Sequence, residues 1–281
     1  MTRSRAEHPQ QSTATSRWTR SDGVSVHYRS YGSGPSAVVF LHGWTCDATF
    51  WRRQHSLCQR HRSLLVDLPG HGKSSAPLRP YPLELFARAV MSVCVEEGVA
   101  SVVLVGHSFG SAVAYTFAKM YARFTKALIL VEPRLTYGCI EYQDRPYQRS
   151  QLRQRAMTMA SPGAAKRFRE GVDSGLTLVS PRLRTEIRAK RLGTPKHVRI
   201  ASVTSVSSVW RQFRPRMPKI PVLAILGHCD GAEDQDQVLN RIAHEPTILT
   251  WADCGHYPML EKPRRFAREV NGFLEELPSS R

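Results

Sequence analysis

Six short apolar runs recur along the chain: SAVVFLHG (36–43), SLLVD (63–67), SVVLVGHS (101–108), KALILVE (126–132), PVLAILG (221–227) and PTILTW (246–251). Each is of strand length and nearly unbroken in aliphatic residues, the pattern of strands covered on both faces. Helix-like stretches lie between and after them, at 49–59, 83–99, 110–124, 234–243 and 264–277. In the last, Phe266, Val270, Phe273 and Leu277 recur at steps of three or four and mark one apolar face. Alternating strands and helices predict a parallel sheet with helices on both sides. Ahead of them, SRWTRSDGVSVHYRSYG alternates around Asp22-Gly23, a hairpin signal, so the sheet is expected to open with an antiparallel pair.

The alternation breaks between 134 and 219. Pro162, Gly163, Pro181 and Pro195 punctuate a helix-rich segment there that carries 19 Lys and Arg against five acids, so most of the chain's net charge of +17 sits in it. An insertion of this length at a sheet edge reads as a helical cap over the strand ends. The expected organisation is a flexible tail over 1–15, an α/β core over 16–133 and 220–281, and a basic cap over 134–219. The charge raises two possibilities, an attraction for an anionic small-molecule substrate through Arg145, Arg149, Arg153 and Arg155, or a solvated basic surface. Interleaved aromatics and nucleic-acid-binding motifs are lacking, so no nucleic acid partner is expected.

No apolar run approaches the roughly 18 residues of a membrane span. The six cysteines are scattered without CxxC or metal-type spacing to histidine, which suggests isolated thiols in a reducing compartment. With no apolar signal-like stretch at the N-terminus, a cytoplasmic location is expected. Neither a cofactor nor a metal is called for.

The chemistry gathers at the ends of the apolar runs. Gly106-His107-Ser108-Phe109-Gly110 joins a strand to a helix and has the GxSxG form, which sets a serine on a strained turn with glycines that let backbone approach it. A serine hydroxyl needs a base, and the base an orienting acid. Asp230, after the 221–227 strand, and His256, after the 246–251 strand, follow Ser108 in the required order at the same sheet edge. Glu132, which ends the 126–132 strand, is the alternative acid, whereas Asp253 lies too close to His256 in sequence to reach the right side of the ring. The amides of Phe109 and Trp44, the latter in the LHGWTCD loop, are the expected oxyanion donors. His42 is expected to brace that loop and the Trp44 ring to wall the site.

Taken together, the HGW loop, the GxSxG turn, the acid positions and the late Gly255-His256 resemble the α/β-hydrolase superfamily over about 20–133 and 220–278. The resemblance implies a Ser-His-Asp hydrolase acting on a carboxylic ester or lactone, with the cap choosing the substrate. It leaves open a carbon-carbon hydrolase of a vinylogous diketone, a cofactor-free oxygenase or perhydrolase, and a non-catalytic receptor on the same fold. Ser108 argues against relatives that open epoxides or displace halide through an aspartate. Where many members carry a further glycine, this chain has Ser111.

LLVDLPGHGKSS (64–75) superficially suggests nucleotide binding, since Gly72-Lys73-Ser74 ends like a phosphate loop. The first glycine of that motif would fall at Asp67, and neither Asn240 nor Asn271 sits in an NKxD. The stretch instead resembles the DxxGxGxS loop of α/β hydrolases, with Asp67 expected to bond local backbone amides and Lys73 to be an ordinary loop residue.

Overall fold

The computed structural model describes residues 14–133, 176, 179–209, 218–228 and 235–278. Asp230, Cys139, Cys229 and the four arginines at 145, 149, 153 and 155 lie outside the described residues, as does most of the expected tail and the first half of the expected cap.

The hairpin forms as the sequence predicts. β1 (Thr15–Ser21) pairs antiparallel with β2 (Val24–Tyr31), and Asp22 and Gly23 both take positive φ, 49° and 75°, the double left-handed turn that matches strand twist. The aliphatic runs become β3 (Ser36–Leu41), β4 (Ser63–Val66), β5 (Ser101–His107), β6 (Thr125–Val131), β7 (Val222–Gly227) and β8 (Thr247–Trp251). The eight strands form one sheet in the order β1-β2-β4-β3-β5-β6-β7-β8, antiparallel where β2 meets β1 and β4 and parallel from β4 to β8.

Helices cover both faces. α2 (Leu83–Glu96) and α3 (Phe109–Met120) bury Phe86, Phe109, Tyr115 and Phe117 on one side. On the other, α1 (His55–Arg60) and later helices enclose Phe40, Trp51, Tyr257 and Phe266. The stretch expected as one helix at 49–59 is instead a 3-10 turn, Ala48–Gln54, running into α1. Its start is fixed by side chains: Asp47 caps Thr49 N–H at 2.9 Å, and Asp67 Oδ1 accepts from Ala48 N–H at 2.7 Å.

The described part of the inserted region is helical, α4 (Pro181–Gly193) and α5 (Lys196–Val209). The chain ends in α6 (Gln235–Ile242), the short α7 (Pro258–Glu261) and α8 (Pro263–Glu276), whose Phe266 and Val270 are buried and whose Phe273 packs partly against the same core. Among the described residues no helix is long and apolar enough to cross a membrane, and no cluster of metal-ligating side chains occurs.

Candidate active site

Parallel strands deliver their C-termini, and the loops beyond, to one edge of the sheet, and the chemically distinctive residues collect there. Ser108 stands between β5 and α3 with φ 52° and ψ −112°, a conformation a non-glycine residue adopts only under constraint from its surroundings. The constraint is visible: Ser108 N–H donates to Val131 O at 2.8 Å, and its carbonyl accepts from Ser111 N–H at 3.0 Å. The turn is also too tight for side chains beside it. A Cβ on Gly106 would lie 2.5 Å from Gly110 O, and one on Gly110 would run into the Leu41 carbonyl oxygen. Ser111 fits by donating its hydroxyl to Gly106 O at 2.6 Å. Gly110→Ala should therefore destabilise by about 1–3 kcal/mol through overpacking against backbone, lowering Tm by several degrees in a calorimetric scan.

Three of the five non-glycine residues with positive φ among those described are at this edge: Ser108, Thr45 (60°) and Glu132 (46°). For Glu132 the consequence is direct. It follows β6, its N–H donates to Ile225 O at 2.8 Å, and the left-handed backbone turns its carboxylate inward, where it is fully buried. One oxygen accepts from Gly227 N–H, and the other lies 3.1 Å from Nδ1 of His256. Of the two acids the sequence offers, Glu132 is the one seen against the imidazole; Asp230 lies outside the described residues. Asp253 is exposed and paired with Lys262 Nζ at 2.7 Å and Arg265 Nη1 at 3.2 Å.

The loop after β3 approaches the serine closely, since a Cβ on Gly43 would fall 3.5 Å from Ser108 Cβ. His42 braces it as expected: buried, with Nδ1–H donating to Gly43 O at 2.8 Å and Nε2 accepting from Leu68 N–H at 3.0 Å. Burial holds His42 below the ordinary histidine range, in keeping with this neutral tautomer. Phe109 is the first residue of α3, where backbone N–H groups have no intrahelical acceptor and face the turn.

The cap grips this same loop. Trp44 Nε1–H donates to Arg199 O at 3.2 Å and Ser202 Oγ at 3.1 Å on α5, so the ring joins core to cap. From α4, Lys190 Nζ meets Asp47 Oδ2 at 2.8 Å, and Arg191 Nε donates to Thr45 Oγ1 at 3.0 Å with its guanidinium 5.8 Å from the Trp44 ring centroid. Arg191 also stands close enough to Tyr257, beside His256, for its charge to act on that phenol. A guanidinium thus enters the site's rim from the basic segment, at a residue the sequence reading did not single out.

Asp67 has a wider role than local amides. It accepts from Ala48 and Lys73 N–H as expected, at 2.7 and 3.0 Å, and also from His27 Nδ1 at 2.7 Å, whose Nε2 meets Ser16 Oγ at 2.7 Å. Burial opposes the charge on Asp67, but the bond from His27, nearby His42 and the two amides outweigh it and leave its carboxyl below the ordinary value. The DxxG segment is a tie between hairpin and sheet edge. Cys254 is buried with its thiol pushed up to about 12, mainly by burial, which disfavours the reactive thiolate.

Residues 38–269 match the model of the alpha/beta hydrolase family. The chain belongs to that family. It is 34% identical over 110 residues to a Mycobacterium tuberculosis protein, a match covering 39% of this chain and 32% of that one, and it spans about a third of the length of the first curated relatives it matches. Similarity over nearly the whole length exists to a 2-hydroxy-6-oxononadienedioate/2-hydroxy-6-oxononatrienedioate hydrolase of Burkholderia vietnamiensis, 29% identical across 93% of this chain and 96% of the relative. In fold the chain is similar to the enol-lactonase of Burkholderia xenovorans, with TM-score 0.78 and 21% identity over 92% of this chain and all of that one.

Proposed function

We propose that this member of the family is a serine hydrolase that cleaves a carboxylic ester or lactone of a small organic substrate through an acyl-Ser108 intermediate. The observation that carries the reading is the strained Ser108 at the head of α3 together with His256, whose Nδ1 faces the buried Glu132 carboxylate. Glu132 accepts a hydrogen bond from Nδ1–H, which fixes the tautomer and leaves the Nε2 lone pair as the base. Ser108 Oγ attacks the carbonyl carbon while its proton passes to Nε2, and the amides of Trp44 and Phe109 stabilise the oxyanion. Collapse expels the alcohol, which takes the proton from the imidazolium. Water then attacks the acyl group by the same path and returns free Ser108 with a carboxylic acid. In a lactone the alcohol stays tethered and one hydroxy acid leaves.

A second reading, hydrolysis of a carbon-carbon bond in a vinylogous diketone, is favoured by the similarity along nearly the whole chain to the Burkholderia vietnamiensis hydrolase. Arg191 at the rim suits an anionic group on either kind of substrate. A panel of neutral aryl esters, carboxylated aryl esters, γ-lactones and ring-cleavage dienoates, assayed at low and high salt, separates these readings. Ester or lactone turnover above dienoate turnover is expected, with kcat/KM for the carboxylated ester falling more steeply with salt than for the neutral one. Turnover of dienoates alone would replace the first reading by the second.

A further inference from the structure

Two side chains, Glu261 and His107, hold the backbone around His256 at three consecutive residues. Glu261, in α7, accepts from Gly255 N–H through Oε2 and from Tyr257 N–H through Oε1, both at 2.9 Å. Between those amides, the carbonyl of His256 itself lies 2.7 Å from Nε2 of His107. His107 is the last residue of β5 and the immediate neighbour of Ser108. Its ring also packs against His256 and Tyr257, with centroids 4.9 and 5.2 Å away.

A nitrogen facing a carbonyl oxygen must carry the hydrogen, so His107 is the Nε2–H tautomer. Its Nδ1 then holds only a lone pair, has no hydrogen-bond partner among the described residues, and lies where a Cβ on Gly43 would come within 2.7 Å. Burial, reinforced by the adjacent His256, holds His107 well below the ordinary histidine range and keeps it neutral. A buried donor wedged between the oxyanion loop and the base has a fixed direction, which an exposed histidine lacks.

We propose that His107 and Glu261 are positioning residues for the base, together clamping the Cys254–Gly255 and His256–Tyr257 peptide groups so that the His256 ring stays in register with Ser108 and Glu132. This rests on the reading of His256 as the base. Neither residue exchanges a proton in the reaction; both act by fixing where the imidazole stands. Because His107 and Ser108 are adjacent in one strained turn, the clamp ties nucleophile and base through a single side-chain hydrogen bond.

The test compares His107→Phe, His107→Gln, Glu261→Ala and Glu261→Gln with wild type and His256→Ala, using p-nitrophenyl acetate for kcat and KM and thermal unfolding for fold integrity. A misplacement of the order of an ångström costs about a hundredfold in rate, so His107→Phe and Glu261→Ala should lower kcat by roughly ten- to a hundredfold, with KM changed by less than about threefold. Gln at 107 can offer an amide N–H near the place of Nε2 and should recover most of kcat. Gln at 261 keeps one acceptor oxygen and should fall between Ala and wild type.

A purely architectural role would give kcat in line with Tm and no recovery in the Gln variants. The proposal is overturned if His107→Phe keeps kcat within about twofold of wild type, or if His107→Gln falls as far as His107→Phe. If His107→Phe does not fold, the Glu261 pair decides: a graded loss of kcat at constant KM supports the clamp, and wild-type kcat in Glu261→Ala overturns it. Full activity in His256→Ala would instead overturn the assignment of the base.

Discussion

Replacing Glu132 with Gln is expected to lower kcat by about a thousand- to ten-thousand-fold with little change in KM. The size follows from the surroundings of the carboxylate. One oxygen must accept from Gly227 N–H, so the Gln carbonyl is drawn there and its NH2 group is left facing His256 Nδ1. A donor in that position selects the tautomer with hydrogen on Nε2, and the lone pair that should take the Ser108 proton is gone. The substitution is nearly isosteric, so the loss should come with a near-wild-type Tm. Asp230→Asn, measured beside it, should stay within a few-fold of wild type. The opposite ranking of the two variants would make Asp230 the acid.

The second large effect is that of Ser108→Ala. Removal of the nucleophile is expected to lower kcat for aryl esters by at least about ten-thousand-fold, leaving a residual rate from the oxyanion amides and substrate binding alone. Alanine has no hydroxyl to pack and keeps the backbone contacts to Val131 and Ser111, so the turn should persist. Steady-state kinetics with protein freed of trace wild-type enzyme measures this. Turnover within tenfold of wild type would remove Ser108 from the chemistry.

Much of this was legible in the sequence, for reasons that differ between residues. Buried parallel strands must be aliphatic throughout, so runs such as SVVLVGHS mark both the strand and where it ends, and the elbow follows from the two glycines that the approach of Leu41 and Gly110 backbone requires. The acid was harder. Glu132 and Asp230 both stand where strands end at the same edge, and the left-handed φ that turns Glu132 inward is not encoded in sequence spacing.

The same limit applies to long-range polar partners. His27 lies forty residues from Asp67, and Arg191 reaches Thr45 from a helix whose docking no local pattern specifies. Glu261 did carry a usable signal: an acid following Gly255-His256-Tyr257-Pro258 falls in the first turn of a short helix, where its carboxylate can turn back on the preceding amides. The 49–59 stretch came out as two pieces because Asp67 and Asp47 engage its first amides from outside the helical ladder.

The central claim is that Ser108, activated through His256 and Glu132, forms the covalent intermediate. Brief exposure of the protein to a fluorophosphonate, followed by intact-mass and peptide mass spectrometry, tests it most directly. A single adduct on the peptide bearing Ser108 is expected, absent in Ser108→Ala and formed far more slowly in His256→Ala and Glu132→Gln. An adduct on another residue, or labelling of Ser108→Ala at the wild-type rate, would contradict the account.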